Sequence, residues 1–215
     1  MTTAEAINRF LEQTPSADRT LTLLARYYNG PLSDLTAARV RDFLSRFFVE
    51  QSGAQFTSPK ELISALAHFF QWAEKNTGYR FTSEQREILS EMESTLPRAM
   101  EIFSLLSRHL SERGGAFGFA EFLTSFEEGG RSRYDFDAPD QQAAMEGYFR
   151  ILKIDGSLIE AEETITESRV YPIIFPEEVA RLLEMGFVIN LELARSKTGW
   201  QIVACGFVYP PGTEV

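Results

Sequence analysis

The chain has 215 residues, 44% of them hydrophobic, which is enough apolar material to bury the core of one large or two small globular domains. Its net charge of −10 argues against the basic face that nucleic-acid binders carry. Cys205 is the one cysteine, so an intramolecular disulfide is excluded, and no apolar run approaches the roughly 20 residues that span a bilayer.

Residues 4–11 read as a short amphipathic helix with Ile7, Phe10 and Leu11 on one side, broken at Thr14-Pro15. Ser16 caps a second predicted helix carrying Leu21, Leu24 and Tyr28, and Asn29-Gly30-Pro31 ends it. Thr36 caps a third, in which Val40, Phe43, Leu44 and Phe47 recur at helical spacing. Ser58-Pro59-Lys60-Glu61 reads as a capping box with proline at the first helical position. The helix it opens turns Leu62, Leu66, Phe69, Phe70 and Ala73 inward and stops at Gly78. Thr82-Ser83-Glu84-Gln85 reads as another box, starting a helix to about Glu93. Pro97 then starts a longer helix to Arg113, and Phe119, Phe122, Leu123 and Phe126 mark a last short one. The 18 phenylalanines, most of them in these helical stretches, are read as core.

Gly129-Gly130 and the polar run Arg131–Asp140 read as an interdomain linker, taken to extend over residues 131–146. Beyond it the period changes to two. Tyr148–Ile154 and Leu158–Ile165 flank Asp155-Gly156, a strong hairpin signal. Arg169–Phe175 is a third strand, with Pro172 placing it at an edge or a bulge. A helix follows from Pro176, with Val179, Leu182 and Leu183 on one face and Gly186 after it. Ile189, Leu191 and Leu193 alternate with polar positions in a fourth strand, and Trp200–Tyr209 is the fifth.

The expected fold class is therefore α+β. An all-helical region, 1–130, divides into a four-helix bundle at 1–80 and further helices at 81–130. A small five-stranded antiparallel domain with one helix, 147–215, follows; its element order is that of OB-like and some SH3-like barrels.

The N-terminal elements carry a resemblance. Phe10-Leu11, Leu35-Thr36, Val40-Arg41-Asp42-Phe43-Leu44 and Ala65-Leu66-Ala67-His68-Phe69-Phe70-Gln71-Trp72-Ala73 occur in an order similar to that of the SAM-like core-binding domain of tyrosine recombinases and phage integrases. The resemblance covers about residues 5–80 and implies a four-helix bundle of a kind that clamps DNA. That family's catalytic domain, with its arginines, histidines and tyrosine nucleophile, has no counterpart here, so no catalytic residue is carried over.

Chemistry-bearing constellations are sparse. His68 and His109 fall on separate predicted helices without metal-ligand spacing. Cys205 lies within a strand, as a small buried hydrophobe does. Asp135, Asp137 and Glu146 match EF-hand positions, but Asp140 stands where the loop needs glycine. Glu160, Glu162 and Glu163, beside Glu167, read as a solvated face or an acidic docking surface. Tyr171, Phe175, Trp200, Phe207 and Tyr209 are the candidate binding residues, with the core of the β domain as the plainer reading for the same aromatics. No catalytic residue, metal ligand or cofactor is assigned.

The expected function is that of a non-enzymatic interaction or adaptor protein of the cytoplasm, outside the membrane, with a protein partner. A nucleic-acid-binding accessory protein is the alternative, disfavoured by the net charge of −10, and an enzyme with a cleft between two domains is the third class.

Overall fold

A reciprocal pair of hydrogen bonds starts the first helix, α1 (Thr3–Gln13). The Glu5 N–H donates to Thr2 Oγ1 at 3.2 Å, and the Thr2 N–H donates to Glu5 Oε2 at 2.8 Å. The computed structural model describes residues 1–14, 20–51, 58–112 and 144–215. The predicted helix over 119–126 and linker residues 131–143 lie outside them. The described residues divide into two units, Met1–Pro97 and Arg98–Thr213.

In the first unit, α2 (Leu21–Tyr27) and α3 (Ala37–Asp42) are short. Five residues of π-helix, Phe43–Phe47, join α3 to α4 (Phe48–Gln51). The wider turn rephases the chain, so that Phe43, Leu44, Phe48 and Val49 are buried while Phe47 is only half-buried. The long helix α5 (Pro59–Thr77) buries Leu62, Leu66, Phe69, Phe70 and Ala73, as its spacing predicts, and Gly78 closes it in the left-handed conformation. Ser58 makes no side-chain cap, contrary to the capping-box reading; Pro59 alone marks that start. Thr82 and Gln85 do form a reciprocal pair, at 3.1 and 3.2 Å. Gln85 Nε2 also donates to Leu35 O at 2.8 Å, which keeps a buried amide satisfied.

Residues 83–112 are one helix, α6 (Ser83–Glu112), with Pro97 inside it, where two helices were expected. Proline removes one backbone donor but does not stop a helix whose apolar face continues past it. Met92 and Leu96 are buried before Pro97, and Ala99, Ile102, Leu106 and Leu110 after it. The division between the units falls within this helix, not at the expected linker. The last linker positions, from Ala144, already belong to a strand.

The second unit is built on β1 (Ala144–Asp155), β2 (Leu158–Glu163), β3 (Arg169–Ile174), β4 (Val188–Arg195) and β5 (Trp200–Tyr209), with α7 (Glu177–Ala180) between β3 and β4. The Asp155-Gly156 hairpin forms as expected, with Gly156 at φ 59°. The sheet closes on itself in the order β1-β2-β3-β5-β4. It is mixed, not purely antiparallel: β3 and β5 run parallel at Ile173↔Trp200 and Ile174↔Gln201. Strand count explains the difference. Directions can alternate all the way round a closed ring only when the number of strands is even, so five strands leave one parallel seam. Phe149, Ile151, Ile159, Ile173, Ile189 and Leu191 fill the interior together with Ala99, Ile102, Leu106 and Leu110 of α6. Ion pairs Arg98–Glu184 and Arg108–Glu178 flank that helix segment.

Candidate functional site

The seam between β3 and β5 presents the most distinctive exposed chemistry of the second unit. Pro172 creates it. Along β3, Val170 pairs with Ala161 and Ile173 with Ile159, so Tyr171 and Pro172 together oppose Glu160 alone. This is the bulge that proline required. The extra residue lets both Val170 and Ile173 point inward while Tyr171 turns outward, half of its surface exposed.

The β4–β5 turn completes the seam. Ser196 Oγ and the Ser196 N–H both bond to Gly199 O at 2.8 Å, which fixes the turn. Gly199, at φ 148°, lies so close to β3 that a Cβ there would stand 2.7 Å from Pro172 O. The parallel register sets Trp200 beside Ile173, two positions from Tyr171. Trp200 is half-buried against the interior cluster, and the Arg195 guanidinium stands 5.1 Å from its ring centroid. Lys197 projects from the exposed part of the turn, and Arg169 of β3 lies 3.7 Å from Glu160 of β2. Tyr171 on β3 and Arg195 and Lys197 at the β4–β5 turn are therefore exposed beside the seam, while Trp200, partnered with inward-facing Ile173, packs largely on the interior and keeps only part of its ring accessible.

The other aromatics named from sequence do not join it. Phe175 is 2% exposed and belongs to the interior. Tyr209 is 1% exposed, near Tyr148 at 6.1 Å and Phe207 at 6.1 Å between ring centroids. Phe207 and Tyr209 lie at the opposite end of β5, seven and nine residues along the strand from Trp200. The five residues are thus separated: two on the seam, one in the core and two at the far end of β5. Periodicity did not reveal Arg195 and Lys197 as members of the surface; the short turn before Trp200 was the signal available.

The acidic residues of β2 do not share one face. Glu160 faces Arg169, and Glu162 faces Arg150 at 3.8 Å. Glu163 is buried and anchors the following turn. It accepts from Thr166 Oγ1 and the Thr166 N–H at 2.7 Å each, and from the Ile165 N–H at 3.2 Å. Burial pushes its pKa up, but these bonds and one from the Tyr148 N–H outweigh that and hold it below the ordinary value. Glu192 goes the other way: burial, then the charge of Glu146 across the β1–β4 pair, raises it.

Cys205 is buried, and burial pushes its thiol to about 12, so it is not a thiolate nucleophile at neutral pH. Among the described residues, no group of three or more His, Cys, Asp or Glu is placed to hold a metal ion, and no helix is long and apolar enough to cross a membrane. Comparison with protein-family models, curated proteins and solved structures gives no match.

Proposed function

We propose that the protein is a non-enzymatic interaction protein that engages a protein partner through the β3–β5 seam. The observation that carries this reading is exposed Tyr171 on β3 next to exposed Arg195 and Lys197 of the β4–β5 turn, with the accessible part of Trp200 beside Arg195, on a closed sheet. Tyrosine, tryptophan and arginine are the side chains that supply most binding energy at protein interfaces. A surface held by a bulge and a bonded turn also loses little entropy when it docks. The test is affinity capture from native lysate, with and without nuclease, comparing wild type with Tyr171→Ala and Arg195→Ala. The reading expects a nuclease-resistant partner that both substitutions weaken. A partner retained equally by all three proteins would reject this surface.

One observation favours a second reading, a nucleic-acid accessory role. The order β1-β2-β3-β5-β4, with a helix between β3 and β4, is that of an OB-like barrel, whose β2–β3 face and β4–β5 loop bind oligonucleotides in many proteins. The resemblance of residues 5–80 to recombinase core-binding domains points the same way. Glu160 and Glu162 on that face, and a net charge of −10, oppose it. Capture that disappears with nuclease would promote this second reading.

A further inference from the structure

The first unit carries a second surface with cationic side chains beside an indole. Lys60, Ser64, His68, Gln71 and Lys75 fall at i, i+4, i+8, i+11 and i+15 along α5 and line one side of an open groove of about 830 Å³. At 1.5 Å per residue the row is about 22 Å long. Phe10 of α1 and Trp72 contribute the apolar floor.

Trp72 is held in place. Its Nε1–H donates to Gln13 Oε1 at 2.8 Å, and its ring stands 5.7 Å from that of Phe10 and 6.3 Å from that of Phe69. Part of its ring remains accessible in the groove.

The charges of the row bear on what it could bind. Eight arginines among the described residues face a carboxylate within ion-pair distance. Among those residues Lys60, His68 and Lys75 make no such pair, and Glu61 is the one acidic residue lining the groove. Lys60 sits in the first turn of α5, where the helix dipole disfavours a cation, so helix stability does not account for it. Two lysines at the ends of an exposed row, beside a fixed indole, are complementary to carboxylates bracketing an apolar side chain.

We infer that this groove binds an acidic peptide segment of a partner. About seven residues in extended form span the row, with one aromatic or large aliphatic side chain on Trp72. This surface is independent of the β3–β5 seam, and its occupation would make the protein a two-surface adaptor.

The test is fluorescence anisotropy with the full chain. The probe is fluorescein-labelled Glu-Glu-Asp-Phe-Glu-Asp-Glu, set beside a control with every acidic residue replaced by its amide. The expected result is saturable binding of the acidic probe, weakened by added salt, with the amide control at least about tenfold weaker. Lys60→Gln with Lys75→Gln should also lower affinity about tenfold while leaving the melting midpoint at the wild-type value, since both side chains are exposed. Equal binding of the two peptides, unchanged affinity in the double variant, or no binding at about 1 mM would overturn the inference. Displacement of the probe by oligo(dT) at lower concentration than by unlabelled peptide would overturn it in favour of nucleic acid.

Discussion

Glu163 shows how one side chain can be mistaken for surface. Its neighbours in sequence make it look like part of a solvated acidic strand, yet it is 5% exposed and holds three donors of the turn after β2. Glu163→Ala leaves those donors unsatisfied and should cost about 1–3 kcal/mol in urea melts. The pH dependence has a definite sign. Its folded pKa is depressed, so the stabilisation is present above the ordinary value of 4.5 and is lost as pH falls through the folded value. Wild type should therefore lose more stability between pH 5 and pH 3 than Glu163→Ala does; parallel losses would remove the turn-anchor role. Glu192 has the opposite sign. Its folded pKa is raised, so its contribution is present below 4.5 and is lost as pH rises through the folded value. Glu192→Gln should raise the melting midpoint at pH 7 and leave it unchanged near pH 3.5. The seam residues differ from both. Tyr171→Ala should change stability by less than about 0.5 kcal/mol, because the side chain is exposed. Trp200→Ala should cost about 2 kcal/mol, less than a fully buried tryptophan, since only part of the ring packs on the interior. A cost near zero would detach Trp200 from the core.

At the scale of elements, what could be read from the sequence was what local chemistry decides. The Asp155-Gly156 hairpin, the five strands and the inward stripe of α5 follow from turn residues and from periods of two and 3.6. Pro172 announced a bulge or an edge, and it forms a bulge that turns Tyr171 outward. The parallel seam was not legible, because it follows from ring closure, a property of all five strands together. The single helix α6 was not legible either: Pro97 is a local stop signal, overridden by burial that continues on both sides of it. This has a measurable consequence. Pro97→Ala restores a backbone donor for a carbonyl one turn earlier and should stabilise the protein by about 1 kcal/mol. A destabilisation would show that the proline conformation itself is needed at that point of α6. Tyr171 and Trp200 were visible as aromatics at strand positions, though not which of them is exposed. Phe175 and Tyr209 are buried, as the core alternative had it; an aromatic in a strand looks the same from sequence whether it faces in or out.

The whole chain is acidic, and eight of the thirteen arginines among the described residues have a carboxylate within ion-pair distance. Duplex or single-stranded DNA should therefore bind no tighter than about micromolar at physiological salt. A steep salt dependence with tighter binding would reverse the order of the two functional readings. The central claim is that the β3–β5 seam meets a protein. The most direct measurement places a photo-crosslinking amino acid at position 171 of the full chain, with a control at the exposed Arg181, and irradiates both in nuclease-treated native lysate. The account predicts a discrete protein adduct at 171, absent at 181 and suppressed by excess unmodified wild type. The absence of any adduct at 171, or one shared equally by both positions, would contradict it.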